Sequence, residues 1–141
     1  MRFGATTKLA LLSLGLWGIV AASCALAGDI YVIAHPSVEL APGDIKEVYL
    51  GEKQFAGAVK LVPVDNAAVQ GDFLAKAINL SADKYGAIWT KKCFRDGLSP
   101  PVTKSSDADV ISFVKSTPGA VGYVSTPAAG VKMLNKYVDQ Q

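Results

Sequence analysis

Few side chains in this sequence combine reactive chemistry with a place where chemistry can happen. The only histidine, His35, stands before Pro36 at the end of an apolar run, with Ser37 two positions on. A second apolar run ends in Asp65-Asn66-Ala67, and a third ends in Ser125-Thr126. Hydroxyls, a carboxamide and backbone donors just beyond buried strands suit the non-covalent capture of a small ligand, since open α/β sheets bind at the carboxyl ends of their strands. Asn66 also reads as the N-cap of a helix beginning at Ala67, where unpaired amides and the helix dipole would favour an anion. The candidate ligand-binding set is therefore Ser37, Asp65, Asn66, Ala67, Ser125 and Thr126. For Ser37 a turn-forming role explains the same residue without a ligand.

Catalysis has little to draw on. Nucleophilic chemistry needs a base beside the nucleophile, and the one pairing on offer joins His35 to Cys93, which falls on the apolar side of a helix and is expected to be buried. No cluster of histidines, cysteines and carboxylates has metal-ligand spacing, and Gly119 and Gly122 make no phosphate-loop or dinucleotide fingerprint. The reading is a binding protein, not an enzyme, with no cofactor.

The elements that must position these residues alternate between strand and helix. Residues 29–34 read as a buried strand. A helix starts at Pro42-Gly43-Asp44, carries Ile45, Val48 and Tyr49 inward and stops at Gly51. A loop follows, in which Phe55 is expected to lie over the core. Residues 58–64 form the second strand and 67–79 the second helix, with Phe73, Leu74, Ala77 and Ile78 on one face. Ser81 caps a third helix over 82–94, whose Tyr85, Ile88, Trp89 and Cys93 belong to the core. Lys91, Lys92 and Arg95 gather at its end, where cations complement the dipole or form a basic docking patch. After an extended crossover at 97–102, Ser105 or Ser106 caps a fourth helix, with Asp107 and Asp109 in its first turn. Pro118-Gly119 turns the chain into a strand at 120–124, where Gly122 leaves room for a backbone or a ligand, and a last strand is expected at 130–134.

The opening residues form a separate unit. Arg2 and Lys8, the apolar run 9–22 and Ala25-Leu26-Ala27 make the three parts of a secretory signal peptide, so residues 1–27 are expected to be removed. Alternatively, Ala21-Ala22-Ser23-Cys24 is a lipoprotein box and Cys24 carries a lipid anchor. Cleavage after Ala27 leaves residues 28–141 as one domain, and taking two of the 14 basic residues away leaves 12 against 12 acidic ones. A balanced chain argues against nucleic acid as a partner. Only Cys93 then remains of the two cysteines, which excludes an internal disulfide.

Four segments in order carry a family resemblance: Ile45-Lys46-Glu47-Val48-Tyr49-Leu50-Gly51, Leu61-Val62-Pro63-Val64-Asp65, Tyr85-Gly86-Ala87-Ile88-Trp89, and Pro118-Gly119-Ala120-Val121-Gly122-Tyr123-Val124. The set resembles the phosphate-type periplasmic substrate-binding proteins of ABC transporters. The resemblance implies a compact, three-layer α/β domain with a small mixed sheet, like one lobe of a type II periplasmic-binding protein. It implies a periplasmic location, phosphate or another small oxyanion as ligand, and an ABC transporter membrane component or another periplasmic protein as partner. A single lobe leaves its solute half exposed, so the resemblance also implies dimerisation or docking to supply a second wall. Where full-length members carry an arginine and Ser-Gly-Thr, this chain has Asp65-Asn66-Ala67-Ala68-Val69-Gln70-Gly71-Asp72. The alternative reading is a ligand-free interaction module that kept the lobe and lost the anion site.

Overall fold

The computed structural model describes residues 28–138, so the expected signal peptide and Cys24 lie outside the described residues. Strand β1 (Ile30–Ala34) is followed by a single 3-10 turn and helix α1 (Ile45–Tyr49), then by a two-stranded hairpin, β2 (Phe55–Ala56) and β3 (Val59–Lys60). Strand β4 (Val62–Asn66) leads into helix α2 (Gln70–Phe73), which continues as a wider π turn over Leu74–Ile78. Helix α3 (Ala82–Asp96), strand β5 (Val102–Lys104), helix α4 (Asp107–Ser116) and strands β6 (Ala120–Val124) and β7 (Lys132–Tyr137) complete the chain.

Five strands form one mixed sheet in the order β5-β4-β6-β1-β7. The β4 strand is parallel to β5 and β6, whereas β1 runs antiparallel to β6 and β7. Helices cover both faces, giving the expected three layers. Alternation along the strands sorts the core. Val32, Ala34, Val121 and Tyr123 pack with α1, α2 and α3 on one face, while Ile33, Val64, Ala120 and Val124 pack with Val110 and Val114 of α4 on the other. At the heart of the larger cluster Phe73 and Tyr123 stack at 3.8 Å between ring centroids, with Tyr49 edge-on to both.

Several local expectations change. The strand expected at 58–64 is divided, Val59–Lys60 going to the hairpin and Val62–Asn66 to the main sheet, so the second part runs through Pro63 and past Val64 to Asn66. Proline supplies no ladder donor, and side chains fill the gap: the Tyr49 hydroxyl lies 2.9 Å from the Val64 carbonyl and 3.2 Å from that of Val121, and Asn66 donates to the Tyr123 carbonyl. The second helix starts at Gln70, because Ala67 to Val69 are spent on a turn after β4. Residues 52–57 include a hairpin strand, and Phe55 is exposed on it instead of covering the core. The last strand lies at Lys132–Tyr137, later and longer than expected.

Glycine decides two contacts. Gly119 adopts φ +83°, and a side chain there would run into the Lys60 carbonyl, so the turn before β6 admits only glycine. At Gly122 a Cβ would lie 2.6 Å from a methyl of Val110. The room that Gly122 leaves is filled by Val110 and Val114 of helix α4.

Candidate functional site

The parallel strands β4, β5 and β6 bring their carboxyl ends to one side of the sheet, beside the start of α4. Asn66 closes β4, Ser125 and Thr126 follow β6, and Asp107 is the first residue of α4. The Ser106 hydroxyl caps that helix by accepting from the Asp109 amide, as expected for one of the two serines, and Ser105 donates to the Asp109 carboxylate.

These segments converge on the Asp107 carboxylate. Asn66 Nδ2 donates to its Oδ1 at 2.7 Å. Its other oxygen accepts from the Ser125 amide at 3.1 Å, the Ser125 hydroxyl at 2.6 Å and the Thr126 hydroxyl at 3.4 Å. Two carboxylate oxygens thus meet four donors from two strand ends, which is the donor arrangement a small oxyanion needs. The importance of Asp107 escapes sequence reading because an acidic residue in a first helical turn is explained by the dipole alone.

The other candidates fall elsewhere. Ala67 is beside Asn66, but its amide donates to the Lys104 carbonyl, and the Ala68 amide is taken by Asn66 Oδ1. Because α2 begins three residues later, no helical amides converge at Ala67, and Asn66 is not its N-cap. Ser37 sits at the opposite end of the sheet. Its hydroxyl accepts from the Gly119 amide at 3.3 Å, before β6 begins, and its neighbour is His35 Nδ1 at 2.8 Å. The antiparallel run of β1 against β6 enforces this separation, since β1 ends where β6 starts.

Asp65 points to the opposite face from Asn66, as neighbours along a strand must. Its carboxyl is 3% exposed and accepts 2.9 Å hydrogen bonds from the hydroxyls of Tyr85 and Tyr123. Burial pushes its pKa up, and the hydrogen bonds from Tyr123, Tyr85 and Gln70 pull it partly back. Burial and the Asp65 charge hold the phenols of Tyr85 and Tyr123 far above the usual phenolic range. Asp65 forms one wall of a cleft that also includes Tyr85, Trp89, Cys93 and Thr103. Cys93 is half-buried there, a correction to the expectation of full burial: on α3 only Tyr85 and Trp89 are fully covered. His35 lies at the far end of the sheet beside Ala120, so the structure does not bring the two halves of a thiol catalyst together. Among the described residues no group of three or more potential metal ligands occurs, and no helix is long and apolar enough to cross a membrane.

No protein-family model matches the sequence, and no curated protein matches it. Solved structures do. The chain is similar to a putative phosphate ABC transporter substrate-binding protein with bound phosphate from Clostridium perfringens, with TM-score 0.56, 17% identity, and coverage of 77% of this chain and 45% of that one. It is similar also to PstS from Borrelia burgdorferi, with TM-score 0.51, 17% identity, and coverage of 76% of this chain and 47% of that one. The chain therefore spans less than half the length of these structures, and the likeness is one of fold. In architecture the chain is one lobe of a periplasmic-binding-type α/β fold.

Proposed function

We propose that the chain is an exported, non-catalytic solute-binding domain that takes phosphate or another small oxyanion at the strand ends marked by Asn66, Ser125 and Thr126. The observation that carries this reading is the convergence of four donors on one pair of carboxylate oxygens. Asp107 holds the place that a solute oxyanion would take. A free anion has to displace that carboxylate and tolerate its charge nearby, so binding is weak and the donors are shared in competition. Ser37, Asp65 and Ala67 have no part in this cradle as folded. The similar structures described as phosphate transporter components support the ligand class and a transporter membrane component as partner. Because the chain is half their length, a second copy or another periplasmic protein would supply the opposite wall. Export rests on residues 1–27, with cleavage after Ala27 or lipidation at Cys24 as the two routes.

The filled cradle also favours a second reading, an interaction module that keeps the lobe and binds no solute. Calorimetric titration of the full chain with phosphate and sulfate separates the two. Weak wild-type binding is expected, with Asp107→Ser tightening it about tenfold, the equivalent of one good hydrogen bond plus a lost repulsion. Adding Ser125→Ala should reverse the gain. If neither the wild type nor a folded Asp107→Ser chain binds at millimolar anion, the solute-binding reading is wrong and the interaction module stands.

A further inference from the structure

At the amino end of β4, away from the Asp107 cradle, the structure has a second cleft, of about 320 Å³. Its lining is mixed, with Val48, Leu61, Trp89 and Leu98 apolar and Lys53, Gln54, Lys60 and Ser99 polar. No carboxylate lines it. Lys53 is already neutralised by Asp44 at 3.2 Å, while Lys60 has no ion-pair partner among the described residues. The cleft therefore has one lysine without an ion-pair partner in a lining that also includes Trp89 and Leu98. Its geometry is fixed from behind: the Lys60 carbonyl abuts Gly119, the Val62 amide donates to the Gly119 carbonyl, and the Trp89 indole donates to the Tyr49 carbonyl at 3.0 Å.

We infer that this cleft binds a small organic monocarboxylate, with its apolar body on Trp89 and Leu98 and its carboxylate at Lys60. The volume suits a ligand at the small end of the usual range for such sites, of about 300 Å³ and upwards. A single free lysine matches a single negative charge and gives no reason to prefer a dianion. A fully hydrated inorganic ion brings no surface to bury against Trp89 and Leu98 and gains nothing from them. The same side chains would accept a neutral molecule of equal shape, so charge recognition at Lys60 is what defines the class.

Calorimetry on the full chain tests this with three probes of one shape: phenylacetate, 2-phenylethanol and phenethylamine. Phenylacetate is expected to bind about tenfold more tightly than 2-phenylethanol, with phenethylamine weakest, the spread given by a charge-assisted hydrogen bond. Lys60→Gln should remove most of the preference for phenylacetate and leave 2-phenylethanol unchanged. Lys84→Gln, on the outside of α3, should change neither. Equal binding of acid and alcohol, or equal losses in the two lysine variants, would overturn the proposal. So would displacement of phenylacetate by millimolar phosphate, since the two sites lie at opposite ends of the sheet. Failure of phosphate to bind anywhere leaves this result untouched.

Discussion

Asp65 sits where a strand of this fold ends, but the groups around it are phenolic. Tyr85 and Tyr123 hold one carboxyl oxygen each, and burial raises its pKa above that of an ordinary carboxyl. A raised value in the folded state means that the native protein holds its proton more tightly than the unfolded chain. The Asp65 contribution to stability is thus fully present below the unfolded value of about 3.9 and is lost as pH rises through the higher folded value. Asp65→Asn, neutral at every pH, should abolish that part of the pH dependence. Measured by denaturant unfolding, the wild type should lose stability relative to Asp65→Asn as pH is raised from about 3 to 7. A difference that stays flat would show that the buried carboxyl is ionised as readily in the folded protein as in the unfolded one, and one that moves the other way that it is ionised more readily there.

The contact between helix α4 and strand β6 depends on the absence of a side chain. Val110 and Val114 press on Gly122 so closely that even one methyl group would displace them. Gly122→Val should therefore cost about 1 to 3 kcal/mol or more by overpacking, read from a lowered unfolding midpoint. A change of under about 0.5 kcal/mol, typical of surface sites, would mean that α4 can shift freely on the sheet. The sequence announces this element well, because Ser106 caps it and its valines repeat at helical spacing. The start of α2 was less legible. Asn66 has the side chain of an N-cap and uses it in a turn one step earlier, binding the Ala68 amide, so composition alone misplaces the helix by three residues. The strand expected to stop at residue 64 runs on to Asn66, and only the remote Tyr49 hydroxyl and the Asn66 amide show how it continues past a proline that supplies no ladder donor. Of the candidate site, the sequence shows that Asn66, Ser125 and Thr126 lie at strand ends. That Ser37 lies at the other end of the sheet is not legible, because the direction of β1 against β6 is a property of the assembled sheet and leaves no mark on β1 itself.

At the scale of the molecule, the sheet joins the two ends of the described chain. The register sets Ile30 of β1 beside Tyr137 of β7, and Tyr31 beside Val124 of β6. Both neighbours of the first described strand are therefore the last two described strands. During synthesis β1 is made well before β6 and β7 and waits, with an apolar face and two open edges, until both have followed. Non-local closure of this kind is slow, because the loop entropy is spent before the contacts that offset it form. Pulse-labelling hydrogen exchange during refolding should show the amides of β1 becoming protected together with those of β6 and β7, and after those of α3. Early protection of β1 alone would contradict this order. A strand whose partners follow so far behind it keeps the chain between them open, and an open chain can still be threaded through a narrow pore before it folds.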